Sequence, residues 1–137
     1  EATPLIAGFG KTVEMLSGNV NERLAHFEKL RKYSVEKLSG IDGIFINSHE
    51  NSVPYILNIS VKGIRSEILL HFLEEKEIYV STGSACHSNK FGESHVLSAI
   101  GLNKNEIGGT VRFSIGSLNT EEDIKYCVEV LKEEFNK

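Results

Sequence analysis

Apolar residues fall at two different spacings along this chain, and the spacing changes near residue 40. Before that point they recur every three or four positions, which is typical of helices with one buried face. The pattern predicts a first helix that begins at Thr3-Pro4 and stops at Gly18, and a second that follows a capping Asn21 and ends at Gly40. Their predicted inner faces consist of large apolar side chains, which are Leu5, Phe9, Val13 and Leu16 in the first helix and Leu24, Phe27, Leu30 and Leu38 in the second.

After residue 40, short apolar or alternating apolar and polar runs indicate β-strands. The predicted strands cover residues 44–46, 55–62, 78–80 and 111–116. Helices are predicted between and after the later strands, capped by Ser66, by Ser94, and by Thr120 together with Asp123. Because some strand connections are tight and others pass through a helix, we expect an α+β fold with a small, mostly antiparallel sheet packed with helices.

The composition is that of a single globular domain, with 137 residues, 40% of them hydrophobic and 25% charged. The 15 basic and 19 acidic residues give a net charge of −4, which argues against a nucleic-acid partner because phosphate binding needs a basic face. No apolar run reaches the roughly 20 residues of a membrane span, and no secretory leader is recognisable, so we expect no membrane association and a cytoplasmic protein. The chain begins with Glu1 rather than Met, so we also expect a fragment or a processed chain.

The two cysteines lie in different sequence settings. Cys127 falls at helical spacing between Ile124 and Leu131, which predicts a core position. Cys86 follows the third predicted strand in a stretch of small and polar residues, S-T-G-S-A-C-H-S-N, which predicts a loop. A thiol there is accessible, and the adjacent His87, when charged, would favour the reactive thiolate. Since cysteine is also among the most buried residue types, Cys86 is either a loop nucleophile or a small core residue.

Arg112 is the second candidate for chemistry. Its neighbours Val111 and Phe113 are predicted to face the core, so Arg112 points to the opposite face of its strand together with Ser114. A guanidinium held on a rigid strand suits bidentate binding of a carboxylate. A solvated or salt-bridged surface arginine fits the same pattern.

His95, which follows Ser94 at a predicted helix start, is more simply a capping or surface residue than a functional one. Cys86, His87 and His95 do not have the spacing of a zinc site and lack a fourth ligand, so no metal is predicted. The absence of a C-x-x-C motif likewise argues against structural zinc and thioredoxin-like chemistry, and two cysteines favour a reducing compartment.

Several segments, in order along nearly the whole chain, form a recognisable combination. They are T-P through A-G-F-G at 3–10, S-T-G-S-A-C-H-S at 81–88, S-H-V-L and A-I-G-L at 94–102, V-R-F-S-I-G at 111–116 and N-T-E-E at 119–122. Together they resemble the pyridoxal-phosphate-dependent cysteine desulfurases of the aminotransferase class V type. The segment at 81–88 is similar to the loop that bears the cysteine in that family, and the combination is more specific than any single piece.

The resemblance implies the fold of the C-terminal small domain of fold-type I pyridoxal-phosphate-dependent transferases. It implies an enzyme that converts L-cysteine to L-alanine, with Cys86 as the nucleophile that takes the sulfur as a persulfide and Arg112 binding the substrate carboxylate. It also implies a sulfur-acceptor protein as partner, such as an iron–sulfur scaffold or a tRNA thiolation enzyme, and a homodimer for the full-length protein.

The cofactor-binding domain of that family has no counterpart in this sequence. None of the five histidines is followed by lysine, as the cofactor-bearing lysine of the family requires, so pyridoxal phosphate is expected in the full-length enzyme and not on this chain alone. We expect residues 1–18 to be a helical segment leading from the missing large domain, and 19–137 to be the small domain with the cysteine loop at 81–93. The chain alone is expected to be inactive. A stand-alone persulfide or redox carrier, or a purely structural domain with Cys86 buried, are the alternatives.

Overall fold

The computed structural model describes residues 2–82 and 94–135 of the 137. Within these residues, helices and strands alternate irregularly along the chain, as expected for an α+β fold. The elements are α1 (Thr3–Ser17), α2 (Val20–Leu38), β1 (Ile44–Ile46), β2 (Ile56–Val61), α3 (Ser66–Glu74), β3 (Ser81–Thr82), α4 (His95–Ala99), α5 (Lys104–Gly108), β4 (Thr110–Ser114) and α6 (Glu121–Phe135). The predicted α+β class is confirmed.

The four strands form one sheet in the order β1-β2-β4-β3, and every described pair is antiparallel. The two central strands are therefore β2 and β4, which are about fifty residues apart in sequence. Their register pairs Leu57 with Phe113 and Asn58 with Arg112. The long-range pairing of β2 with β4 decides which polar side chains meet on the sheet.

One face of the sheet is apolar and packs against helices. Residues at alternate positions of β2 are almost completely buried, as Leu57, Ile59 and Val61 show, and Val111 on β4 lies beside them. Side chains from α2, α3 and α6 complete this core, and they include Leu38, Leu69, Leu73, Val128 and Leu131. Since burying one such side chain contributes about 1.5–3 kcal/mol, this layer is the main source of stability.

The third strand begins later than the sequence predicts, because Ile78 takes part in the turn that caps the end of α3. The Glu77 N–H donates to the Glu74 carbonyl and the Ile78 N–H to the Leu73 carbonyl, both at 2.9 Å. This is the Schellman arrangement, with Glu77 at the left-handed position (φ 58°) that glycine usually occupies. The prediction of a strand at 78–80 is therefore wrong, and ladder pairing starts at Ser81.

Helix starts agree with the sequence only in part. Ser94 caps α4 by accepting from the Leu97 N–H at 3.4 Å, and Thr120 and Asp123 form the expected reciprocal bonds at 2.9 and 3.2 Å. The predicted cap at Asn21 is wrong, since α2 begins at Val20 with Asn19 before it.

The helix starts at Thr3 and Ser66 also differ from the prediction. Thr3 and Ser66 are the first residues of α1 and α3 rather than caps, and the residues that precede them, Ala2 and Arg65, make no side-chain capping bond. Helix α5, which the sequence analysis did not predict, starts at a complete capping box between Asn103 and Glu106.

The apolar face of α1 has no partner in the described structure. Leu5 is 75% exposed and Phe9 is 72% exposed, and no residue of this helix is buried. The predicted inner face is thus exposed here, and Leu24 at the start of α2 is also partly exposed. A monomeric soluble protein seldom leaves so continuous an apolar stripe uncovered.

Arg31 of α2 is buried and ties the loop between β1 and β2 to the helix. Its Nη1 donates to the carbonyl oxygens of Val53 and Ile56 at 2.9 and 3.0 Å. Its Nη2 donates to the His49 carbonyl at 2.7 Å and to Ser52 Oγ at 2.9 Å. Because a guanidinium presents its donors in a fixed planar fork, it can satisfy all four oxygens at once.

We expect Arg31→Lys to lower the free energy of unfolding by about 1–2 kcal/mol, since an ammonium keeps the charge but cannot bond four acceptors in this geometry. Urea unfolding of the purified chain measures the loss. The control is Arg65→Lys at an exposed site, which should stay within about 0.5 kcal/mol. Equal stabilities of the two variants would show that the fork geometry of Arg31 is unimportant.

Among the helices of the described residues, none is both long and apolar enough to cross a bilayer.

Candidate functional site

Arg112 projects from the face of the sheet opposite the core. Val111 is fully buried and Phe113 is half-buried against the core, whereas Arg112 and Ser114 are exposed. This agrees with the alternation expected from the sequence. The register places Asn58 of β2 and Ser81 of β3 directly opposite Arg112 on its two sides. The arginine thus stands in the middle of a polar, open face.

A connected set of polar side chains lies beside Arg112 on this face. The Asn47 amide nitrogen lies 2.8 Å from both Asn58 Oδ1 and Ser60 Oγ. Ser60 Oγ is 3.1 Å from Thr110 Oγ1, which donates to the Glu106 carbonyl at 2.8 Å. Ser60 and Thr110 are each only 1% exposed, so the buried part of this network holds its exposed part in place.

The guanidinium of Arg112 is not neutralised by the described part of the protein. The ion pairs between described residues involve other side chains, such as Lys29 with Glu121 and Arg65 with Glu67. No described acidic side chain pairs with Arg112, and a cation on a rigid strand with polar donors beside it is suited to bind an anion.

Cys86 and His87 lie outside the described residues, as does most of the predicted loop at 81–93. The structure does show where the chain enters that segment: Ser81 pairs with Arg112, and Thr82 pairs with Val111. Cys86 follows Thr82 by four positions in the sequence. The segment that bears the predicted nucleophile therefore starts next to the predicted carboxylate-binding residue.

Cys127 is partly buried and packs against the core, on the side of α6 that its helical spacing predicted. It borders a small void of about 20 Å³ lined mainly by apolar side chains, among them Leu38, Leu57, Phe113 and Val128. Burial raises the pKa of the Cys127 thiol to about 12. A thiol in this setting remains protonated and unreactive at neutral pH.

The buried position of Cys127 predicts slow modification by thiol reagents in the native chain. Because burial raises the pKa of this thiol from about 9 to about 12, its ionisation costs the folded state nothing at pH 7, and stability is lost as the pH rises from about 9 through the folded value of about 12. With Cys86→Ala in the background, we expect no reaction below pH 9 until urea unfolds the chain. Cys127→Ser should cost about 1–3 kcal/mol through a buried hydroxyl, and rapid native labelling of Cys127 would contradict this account.

The other candidates do not form a second site in the described residues. His95 is exposed as the first residue of α4, and no three metal-binding side chains cluster within residues 2–82 and 94–135. A cleft of about 430 Å³ lies between α2 and the loop that follows β1, away from Arg112. Its Arg31 is already bonded to four protein oxygens, so this charge is not available to a ligand.

Asn58 and Ser81 were not recognised from the sequence as neighbours of Arg112. Alternation along β2 does place Asn58 and Ser60 on the non-core face. Their proximity to Arg112 depends on the register between β2 and β4, for which a single sequence gives no signal.

Comparison with known proteins gives a consistent result. Residues 1–127 match the model of the family described as aminotransferase class-V. The chain is 37% identical over 134 residues to the cysteine desulfurase IscS of Methanosarcina thermophila, an alignment that covers 97% of this chain and 33% of that protein.

Two solved structures resemble the fold closely. A NifS-like protein superposes with a TM-score of 0.85 at 31% identity, covering 99% of this chain and 34% of the other. A NifS-like protein from Rickettsia africae superposes with a TM-score of 0.84 at 25% identity, covering 100% and 36% respectively. The chain thus spans about a third of the length of the curated relatives it matches. Since the family model matches all but the last ten residues, this chain belongs to the aminotransferase class-V family.

Proposed function

We propose that this chain is the C-terminal part of a cysteine desulfurase, which converts L-cysteine to L-alanine and collects the sulfur on Cys86. The observation that supports this most directly is the position of Arg112. It lies exposed on the polar face of the sheet, beside the strand that leads into the cysteine-bearing segment. The relatives over this stretch are named cysteine desulfurases, which makes cysteine the first substrate to test.

Two residues have assigned roles in this proposal. The Arg112 guanidinium binds the substrate carboxylate through paired hydrogen bonds and so fixes the orientation of the amino acid. The Cys86 thiolate attacks the sulfur of the bound cysteine. An S–S bond forms as the carbon–sulfur bond of the substrate breaks, and the electron pair of the broken bond stays with the carbon. Protonation of that carbon gives the methyl group of alanine, and Cys86 is left as a persulfide.

The described residues do not by themselves fit pyridoxal phosphate. The side chains nearest Arg112 in the sheet register are Asn58 and Ser81, so this part of the face offers neither an amine for the aldehyde nor a carboxylate for the pyridine nitrogen. In the full-length enzyme the cofactor supplies an electron sink. We therefore assign its binding to the part of the protein that this chain lacks, with residues 19–137 as the small domain.

The exposed apolar face of α1 also supports the proposal that a further, large domain belongs to the protein. Leu5, Phe9 and Val13 are at least half exposed along one helix. Covering them would add apolar burial at about 25 cal/mol per Å². We propose that residues 1–18 lead from the large domain, and that contacts with that domain cover this helix.

The proposed partners are those that the similarity to cysteine desulfurases implies. L-cysteine is the substrate, and a sulfur-acceptor protein, such as an iron–sulfur scaffold or a tRNA thiolation enzyme, takes the persulfide sulfur. The full-length protein is proposed to be a homodimer and to act in the cytoplasm.

Comparison of the full-length protein with residues 1–137 tests the proposal. The full-length protein should form alanine from L-cysteine and show the absorbance of bound pyridoxal phosphate, and the chain alone should do neither. Absence of alanine from the full-length holoenzyme would refute the proposed activity. A chain that alone accepts sulfur from a persulfide donor and passes it on would favour the stand-alone carrier instead.

A further inference from the structure

On the polar face of the sheet, hydrogen bonds run from Asn47 through Ser60 and Thr110 to a carbonyl oxygen. That last acceptor determines which group donates at each step. Thr110 Oγ1 lies 2.8 Å from the Glu106 carbonyl, which can only accept, so the threonine hydroxyl donates there. Ser60 Oγ lies 3.1 Å from Thr110 Oγ1 and must therefore donate to it. With its only hydrogen used, Ser60 accepts from Asn47, whose amide nitrogen is 2.8 Å away.

The same order of donors and acceptors determines how the side-chain amide of Asn58 is oriented. Asn47 presents its amino group, and that group also lies 2.8 Å from Asn58 Oδ1. The oxygen of Asn58 is thus the acceptor, and its Nδ2 is the end turned away from Asn47. Asn47 follows β1 on one side of β2, and Arg112 lies on β4 on the other side. The Asn58 amino group makes no hydrogen bond to another described side chain.

We propose that Asn58 is a second binding residue for the substrate carboxylate, next to Arg112. This inference rests on the proposed desulfurase function and extends it to a specificity-determining residue. Asn58 and Arg112 are register partners, and the Cα atoms of such pairs are about 4.5–5.5 Å apart. Where Asn58 and Arg112 face each other, both side chains offer only hydrogen-bond donors, so they cannot bond to each other. The two oxygens of one carboxylate can accept hydrogen bonds from both.

The network below Asn58 makes it a suitable binding group. Ser60 and Thr110 are buried, and Asn47 holds the Asn58 oxygen, so the amide is oriented before any ligand arrives. A donor that is already oriented loses little conformational freedom on binding. The arrangement favours substrates with a carboxylate over amines of the same length that lack one.

Asn58→Asp in the full-length holoenzyme is the sharpest test, because aspartate keeps the oxygen that accepts from Asn47 and replaces the donor with a negative charge. We expect KM for L-cysteine to rise about 10–100-fold, as a lost hydrogen bond to a charged group predicts, while kcat falls less. The inhibition constant of cysteamine, which has no carboxylate, should stay within about threefold, since Asn58 has no group to bind on it. Asn105→Asp, the same change at an exposed position of α5, is the matched control and should alter neither constant.

Asn58→Ala removes the donor without adding charge and serves as the second variant if the aspartate form does not fold. It should raise KM for L-cysteine about 5–30-fold, again with cysteamine unaffected. An unchanged KM in both variants, or equal weakening of L-cysteine and cysteamine, would overturn the role of Asn58. Those results are distinct from failure of the proposed function, in which the unmodified enzyme would form no alanine.

Discussion

Cys86→Ser in the full-length holoenzyme should reduce alanine formation from L-cysteine by at least about 1,000-fold, the usual scale for removal of a nucleophile. A serine hydroxyl does not ionise at neutral pH and cannot form the S–S bond that takes the sulfur from the substrate. The measurement is alanine released under saturating L-cysteine, with the cofactor absorbance confirming that the variant is loaded.

The matched control for this loss is Cys127→Ser, which changes the other cysteine in the chain. It lowers stability but leaves a thiol at position 86, so activity per folded molecule should stay within about threefold. If the Cys86 variant retained a tenth of the activity, or if the Cys127 variant lost it, the nucleophile would not be Cys86.

Gly109→Ala should be among the most destabilising single methyl additions in the chain, with a loss of about 2–4 kcal/mol in the free energy of unfolding. A Cβ at this position would overlap the Val61 carbonyl oxygen and would lie 3.0 Å from that of Ile64. Both obstacles are main-chain atoms of β2 and the turn after it, which cannot rotate away. The Val61 N–H also donates to the Gly109 carbonyl at 2.9 Å, so moving either segment breaks a bond in the sheet layer.

The neighbouring glycine supplies the control. A Cβ on Gly108 meets nothing within 4 Å, and this residue ends α5 with an ordinary backbone conformation. Gly108→Ala should therefore change stability by less than about 1 kcal/mol, and alanine is expected to stabilise the helix slightly. Thermal or urea unfolding of the two variants compares their stabilities directly. Equal stabilities would mean that the backbone at Gly109 does not lie in close contact with the end of β2.

The spacing of apolar and polar residues predicted the structural features that depend only on residues close together in the sequence. The alternation of Val111, Arg112 and Phe113 placed the arginine on the non-core face, and the spacing around Cys127 placed this residue against the core. The Ser94 and Thr120 caps were also predicted, because a cap is a contact across three residues.

Features that depend on distant residues were not predictable in this way. The Asn58–Arg112 pairing needs the β2–β4 register, and the four acceptors of Arg31 come from a loop 18 to 25 residues away. The strand at 78–80 was wrongly predicted for a local reason, since Glu77 occupies a left-handed position where glycine would have signalled the end of α3. For the first helix, the spacing of apolar residues predicts a face that should be buried, but it does not identify the surface that would cover this face.

Peptide mapping of the persulfide tests the central claim most directly. The full-length holoenzyme is incubated with L-cysteine, its thiols and persulfides are alkylated, and the digest is analysed by mass spectrometry. We predict that the peptide containing Cys86 gains the mass of one sulfur atom, that the Cys127 peptide does not, and that Arg112→Ala sharply reduces the gain at a fixed, low concentration of L-cysteine. Alanine formation with no added sulfur on Cys86, or with the sulfur on Cys127, would contradict the account.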